Sequence, residues 1–121
     1  DTEEKVKYYG CLCWSERAIS SQEELETRLG TFPIELQQQT PIRVLHRRSR
    51  STRVRRVLSL KATRIDAHHF RLNLSTDAGT YVKEFAHGDL GRTVPSVSSL
   101  LKSSVDMLEL DCEGIAGVVS S

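Results

Sequence analysis

The sequence predicts an α+β domain built around one core. Segment 69–76 alternates strictly between apolar and polar residues, which is the pattern of a strand with one buried face. Segment 81–90 instead spaces its apolar residues at helical intervals. Strand and helix patterns follow one another without strict β-α-β alternation, and 121 residues is the length of one ordinary domain. The class is therefore α+β rather than parallel α/β.

The N-terminal third predicts one strand and one helix. Segment 5–14 is rich in Val, Tyr, Cys and Trp and predicts a strand with both faces covered. Ser20 and Ser21 precede Glu23 and Glu24 at the spacing of a helix capping box, and Gly30 can end that helix in a left-handed conformation. Segment 32–39 has a weak pattern, typical of a short strand or a linker.

The middle of the chain predicts a β-hairpin. Segment 53–62 reads as a long strand in which Val54 shares the inner face with the later apolar residues. Its outer face is predicted to carry three bases, Arg53, Arg55 and Lys61. The residues at 56–57 interrupt the alternation, which allows a bulge. A turn at 65–68 would join this strand to the strand at 69–76.

The C-terminal third predicts two helices and a last strand. Thr80 can cap a helix over 81–90, and Gly91 can end it. Proline favours the first position of a helix, so a second helix is predicted over 95–102. Segment 105–112 predicts the final strand.

Charge is distributed very unevenly along the chain. The formal net charge is only +1, yet residues 36–65 contain no acid. That segment contains nine bases: Arg43, Arg47, Arg48, Arg50, Arg53, Arg55, Arg56, Lys61 and Arg64. A solvated surface usually mixes charges of both signs, whereas a run of arginines without acids favours contact with phosphates. The charge pattern therefore predicts nucleic-acid binding, with an acidic protein partner as a weaker alternative.

Other kinds of site find little support in the sequence. Cys11 and Cys13 are too close in sequence for the usual zinc spacing, and on a strand they are better explained as small core residues. We therefore predict no metal. Three cysteines in total form no closed disulfide framework, which favours a reducing, intracellular compartment. No apolar run reaches the ~20 residues of a membrane span. A chain that begins at Asp1 also suggests part of a longer protein.

Lys83 departs from local helix preferences. It falls in the first turn of the predicted helix over 81–90, where a cation opposes the positive end of the helix dipole. Residues that break a local rule are candidates for function. A carboxylate or phosphate partner would favour Lys83 at this position, whereas the simpler interpretation is an exposed lysine that pairs with Glu84.

Two long motifs resemble a known enzyme family. The run Gly-Thr-Tyr-Val-Lys at 79–83, with Asp-Leu-Gly at 89–91, is similar to the third motif of TruB-type pseudouridine synthases. The longer runs at 40–48 and 78–93, with 66–72, resemble the archaeal and eukaryotic tRNA pseudouridine synthase ten family. The similarity extends over about 7–111, nearly the whole chain.

The resemblance implies roles for individual residues. Lys83 would take the place of the base that pairs with the catalytic Asp, and Tyr81 would lie near the target uracil. Leu100, or alternatively Leu101, would contact the uracil. The RNA phosphates would be bound by six arginines: Arg43, Arg47, Arg48, Arg53, Arg55 and Arg92. The chain contains no Gly-Arg motif with a following acid upstream of Lys83, so the nucleophilic Asp is absent from it.

The resemblance therefore implies that 1–121 is the C-terminal portion of a catalytic domain. The expected fold is half of the family's catalytic fold, an antiparallel or mixed sheet with helices packed on one side. The parent would isomerise uridine in tRNA, in the TΨC arm, without a cofactor. Its partners would be tRNA and the N-terminal remainder of the same protein, with no membrane, as a monomer in the nucleus or cytoplasm, an organelle not being excluded. The alternative is a basic RNA-binding module without isomerase chemistry.

Overall fold

The computed structural model describes residues 5–115 and the side chains of residues 5–113. Six strands and three α-helices follow one another along the chain. They are β1 Lys7–Ser15, α1 Gln22–Leu29, β2 Ile34–Gln39, β3 Thr52–Arg64, β4 His69–Thr76, α2 Val82–His87, β5 Thr93–Val94, α3 Val97–Leu101 and β6 Val105–Ile115. Two short 3₁₀ turns lie at Ile42–Val44 and Asp89–Gly91. The predicted α+β class is confirmed.

The strands form one antiparallel sheet in the order β5-β2-β3-β4-β1-β6. Phe70, Leu72 and Leu74 of β4 are buried on one face, as their alternation predicts. All three helices contribute apolar side chains to the same core cluster as that face. Cys11 and Cys13 lie in this core as free thiols. The helices thus cover the part of the inner face that forms the core.

α1 follows the local signals in its sequence. Ser21 is the N-cap, and its hydroxyl accepts a hydrogen bond from the Glu24 backbone N–H. Leu25 and Leu29 face the core, and Gly30 ends the helix with φ +80°. A helix of this kind is stabilised at both ends by residues close in sequence, so the sequence suffices to predict it.

β3 differs from the prediction in the orientation of its first half. Its pairing with β4 shifts between Val57 and Ser59, so a bulge is present next to the predicted position. The extra residue moves Val57 into the core, and Val54 is left 52% exposed. The predicted inward position of Val54 is therefore wrong. Arg55 and Arg53, two and four residues before Val57, now share the inner face of the sheet.

The two C-terminal helices begin or end elsewhere than predicted. α2 ends at Gly88, which has φ +87°, and not at Gly91. Thr80 does not cap α2, because its hydroxyl donates to the Asp77 carbonyl instead. Pro95 does not open α3 either, since Ser96 is the N-cap and forms a capping box with Ser99.

Two strands, β2 and β5, form where the sequence pattern is weak or absent. β2 forms where the sequence pattern was weak, because its pairing with β3 supplies the order. β5 was not predicted, and its two residues pair with Gln37 and Gln38. Within residues 5–115 no helix is long and apolar enough to cross a bilayer.

Candidate nucleic-acid interface

An open cleft of about 440 Å³ lies beside the covered core, at the end of the sheet where β1, β2 and β3 meet the turn before α2. Four bases, two tyrosines and small polar residues line it. They are Lys7, Tyr9, Gln38, Gln39, Thr40, Arg48, Ser49, Ser51, Arg53, Arg55, Gly79, Thr80 and Tyr81. No carboxylate belongs to this lining, so every charged side chain in the described part of the cleft is basic. Such a surface attracts polyanions.

The inner face of the sheet continues into this basic cleft. Lys7 and Tyr9 alternate in phase with the buried Cys11 on β1. On β2, Gln38 pairs with Arg53 and lies in phase with the buried Leu36. The bulge in β3 is what brings arginines to this face, where an unbroken alternation would have placed Val54.

Arg55 lies against the backbone of the turn that precedes α2. A Cβ atom added at Gly79 would lie 3.2 Å from Nη2 of Arg55 and 3.4 Å from its Cζ. Gly79 also has φ +86°, a conformation that side chains disfavour. Glycine at 79 thus allows both the turn and the close approach of the guanidinium.

Tyr81 is fixed through its backbone by a buried amide. Nε2 of Gln38 donates to the Tyr81 carbonyl at 2.9 Å, and Oε1 of Gln38 accepts from the Tyr81 N–H at 3.0 Å. The same Nε2 donates to Oγ1 of Thr93 at 3.2 Å. Gln38 is only 3% exposed. Buried amides are stabilised when their donors and acceptors are satisfied, so this clamp holds the start of α2 rigidly on β2.

Arg43 and Glu84 form an ion pair next to Tyr81. Nε of Arg43 donates to Oε2 of Glu84 at 2.7 Å, and Nη2 donates to Oε1 at 3.3 Å. The hydrogen bond to Glu84 raises the pKa of Arg43. The Arg43 guanidinium carbon lies 5.8 Å from the centre of the Tyr81 ring. Arg43 is therefore engaged within the chain, although its side chain is half exposed.

Lys83 is exposed and lines a second concavity of about 320 Å³. Tyr9, Thr80 and Tyr81 border both this concavity and the basic cleft. Leu110 of β6 supplies an apolar wall. Among the side chains of residues 5–113, no carboxylate lies within 4.0 Å of Lys83. The local partner considered from sequence, Glu84, is buried and bonded to Arg43 instead.

The two predicted uracil-contacting leucines lie elsewhere. Leu101 is 2% exposed in the core, so in this structure it cannot touch a ligand. Leu100 is partly buried and lines a surface depression with residues of α1. The structure therefore brings Tyr81 and Lys83 together and leaves both leucines outside their concavity. Leu110 is the apolar side chain that it places there.

The remaining predicted arginines fall into two groups. Arg47 and Arg48 are exposed, and Arg48 lines the basic cleft with Arg53 and Arg55. Arg92 instead donates from Nη2 to the Thr40 carbonyl at 2.7 Å. Its Nε lies 3.6 Å from Oδ2 of Asp89. Arg92 thus holds the loop that carries Arg43 and does not point into the cleft.

Sequence reasoning missed Gln38, Lys7 and Tyr9, and it considered Glu84 only as a partner for Lys83. The sequence around Gln38 and Glu84 does not reveal their true partners, because these lie some 40 residues away. Lys7 and Tyr9 gave a weak one, since they share the alternation of the core cysteines. On β1, Lys7 and Tyr9 follow the alternation of the buried cysteines, so they indicate where the core ends.

Comparison with known proteins gives consistent matches. The family model described as Pus10, C-terminal, matches residues 1–116. The tRNA pseudouridine synthase Pus10 of Xenopus laevis is 46% identical over 93% of this chain, and that of Homo sapiens is 45% identical over 93%. The protein of the same name from Pyrococcus furiosus is 39% identical over 89%. The chain spans 22%, 21% and 30% of these relatives.

A solved structure shares the fold. A chain in the crystal structure of a Cbf5-Nop10-Gar1 complex superposes with a TM-score of 0.72, covering 94% of this chain and 31% of that one, at 19% identity. The residues matched by the family model, 1–116, include both motifs and every residue that lines the cleft. The chain belongs to the Pus10 C-terminal family.

Proposed function

We propose that this chain is the RNA-binding and base-contacting portion of a tRNA pseudouridine synthase. The observation that carries the proposal is the position of Tyr81, clamped by Gln38 between the basic cleft and Lys83. The Pus10 relatives that it resembles are named tRNA pseudouridine synthases. The chain would act with a further, N-terminal part of the same protein.

Lys83 is proposed to pair with a catalytic Asp in that N-terminal part. A cation at salt-bridge distance keeps a carboxylate ionised in a partly dry site. The exposed ammonium group of Lys83, without a carboxylate partner in residues 5–113, suits this role. The Asp would attack the nucleoside, the uracil would detach from C1′, turn, and rejoin through C5, with no cofactor.

The aspartates of the described residues are poor candidates for the nucleophile. Asp66 accepts hydrogen bonds from the His68 N–H and the His69 ring, and Asp77 is paired with Arg56. Asp89 accepts from the Ile42 N–H. Neither these three nor Asp106 and Asp111 line the basic cleft or the concavity of Lys83. A nucleophile from outside these residues is therefore the consistent proposal.

The basic cleft is proposed to hold the RNA backbone. Arg48, Arg53 and Arg55 can bind phosphates, and Tyr9 and Tyr81 offer ring faces to bases. The substrate would be the TΨC arm of tRNA, bound by a monomer. An enzyme acting on tRNA works where tRNA is found, which places the proposed activity inside the cell, in nucleus, cytoplasm or an organelle.

A tritium-release assay on uridine-labelled tRNA tests the proposal. The full-length protein should release tritium, and the 121-residue chain alone should not. In the full-length protein, Lys83→Ala should lower turnover by roughly 10²-fold or more, with a much smaller change in tRNA affinity. Lys61→Ala, on the opposite face of the sheet, is the matched control and should leave turnover unchanged.

The outcomes separate the possible functions. Turnover by the chain alone would overturn the proposal that its nucleophile lies elsewhere. Binding of tRNA without turnover by the full-length protein would favour the non-catalytic RNA-binding module. Binding that persists at high salt would contradict a phosphate-binding cleft.

A further inference from the structure

Arg43 belongs to the basic segment, yet the Nε and Nη2 edge of its guanidinium group is already bonded within the chain. Two of its nitrogens bond to Glu84, whose side chain is 2% exposed. A buried carboxylate that loses its only cation is strongly destabilised. Arg43 therefore cannot turn toward an RNA phosphate without leaving Glu84 unpaired.

The loop that carries Arg43 is fixed from both sides. The Ile42 N–H donates to Oδ2 of Asp89 at 3.0 Å. Arg92 donates twice to the Thr40 carbonyl, at 3.2 Å from Nε and 2.7 Å from Nη2. The Asp-Leu-Gly-Arg run at 89–92 thus holds the backbone on either side of Pro41. A side chain on such a loop has a defined direction.

The Arg43 side chain extends toward the ring of Tyr81. The guanidinium carbon of Arg43 lies 5.8 Å from the ring centre, within the range of a cation–π contact. Gln38 fixes only the backbone of Tyr81. Those bonds leave the ring to other contacts, and Arg43 is a cation that lies over it.

We propose that Arg43 is a positioning residue that orients the Tyr81 ring, and that it does not bind RNA phosphate. Arg48, five residues later, is exposed and lines the basic cleft, so the two arginines of one motif have different tasks. The importance of Tyr81 for catalysis rests on the proposed function, whereas the orientation of its ring by Arg43 does not.

The test combines two measurements on Arg43→Gln, with Arg48→Gln as the matched control. The chain has three tyrosines, so 3-fluorotyrosine labelling gives three ¹⁹F NMR signals, assigned by Tyr→Phe variants. Arg43→Gln should move the Tyr81 signal and leave that of the exposed Tyr8 in place. Arg48→Gln should move neither signal.

The second measurement is the dependence of tRNA affinity on salt. Arg48→Gln should lower the log–log slope by roughly 0.7–0.9, the value for one lost phosphate contact. Arg43→Gln should leave the slope unchanged. A fall in the slope with Arg43→Gln, or an unmoved Tyr81 signal, would each overturn the proposal.

The proposal stays testable if Arg43→Gln fails to fold or if the chain binds tRNA without salt dependence. If Arg43→Gln does not fold, Arg43→Lys replaces it, because lysine retains a cation for Glu84 but lacks the planar fork over the ring. The Tyr81 signal should still move, and an unmoved signal would again overturn the proposal. If the unsubstituted chain binds tRNA without salt dependence, the proposed function fails, while the ¹⁹F comparison still decides whether Arg43 orients Tyr81.

Discussion

The two halves of the inner sheet face have opposite chemistry although the same strands form both. In the half covered by helices, Phe70 and Leu72 of β4 are at most 1% exposed. In the open half, Arg53 and Arg55 of β3 line a polar cleft. One sheet thus serves as core at one end and as candidate binding surface at the other.

Along β3, the bulge lies next to the point at which the side chains on the inner face change from apolar to basic. After it, Lys61 points to the outer face, and before it Arg55 points to the inner face. Without the extra residue, the outer and inner sets of the first half would be exchanged. A single residue therefore decides whether the basic segment faces the cleft or the opposite side.

The largest expected effect is on the covered half. Phe70→Ala should lower the free energy of unfolding by about 3–5 kcal/mol, since a fully buried aromatic ring would be replaced by a cavity. Arg53→Ala, on the same inner face but in the open half, should change it by less than about 0.5 kcal/mol. Urea unfolding followed by circular dichroism measures both. Similar losses of unfolding free energy in the two variants would contradict the distinction between the halves.

The second effect tests the boundary of the open half at Gly79. Gly79→Ala should cost about 1–3 kcal/mol of stability because of its positive φ, and should also weaken tRNA binding several-fold by displacing Arg55. Gly30→Ala is the control, since Gly30 has φ +80° with no atom within 4 Å of the added Cβ. Gly30→Ala should lower stability without weakening tRNA binding. Thermal unfolding and filter binding give the two quantities, and equal binding losses would contradict the role of Arg55.

A smaller effect compares two bases of β3 on opposite faces. Arg55→Gln should lower the salt slope of tRNA binding by roughly 0.7–0.9, and Lys61→Gln should leave it unchanged. Stability should hardly change in either variant. Fluorescence anisotropy at several salt concentrations measures the slopes. Equal slopes for the two variants would show that the bulge does not select which bases meet the RNA.

The smallest expected effect concerns Glu24 of α1, which does not line the basic cleft. It should therefore not depend on RNA. Hydrogen bonds from the Ser20 backbone N–H, Arg28 and the Ser20 hydroxyl lower the pKa of Glu24 from 4.5 to about 2. A carboxylate with a depressed folded pKa stabilises the fold above its unfolded pKa, and this stability is lost as pH falls toward the folded value. Unfolding should therefore become easier between pH 4.5 and about 2.

Glu24→Gln should reduce this pH dependence, and Glu23→Gln, its neighbour in the same turn, should retain it. Denaturant midpoints measured across that pH range check both variants. An identical pH profile for Glu24→Gln and the unsubstituted chain would contradict the assignment to Glu24.

Prediction from sequence succeeded where the cause of structure is local. β4 was predicted with its observed bounds, because strict alternation and a hairpin turn are both written in a few neighbouring residues. The caps of α1 are another case. α2 was predicted too long because Leu90, counted on its apolar stripe, instead has φ +56° and is 92% exposed. Gly88 had already ended the helix.

The candidate site was predicted in part, for the same reason. The basic segment and the motif containing Tyr81 and Lys83 could be recognised before folding is considered, because charge and motif are properties of composition and order. Which arginines are free depends on the folded chain: Arg55 reaches the cleft through a bulge set by pairing with its neighbours, and Arg43 is paired with Glu84. The register of β3 and the burial of Glu84 both depend on partners distant in the chain, which the sequence around each of them does not specify.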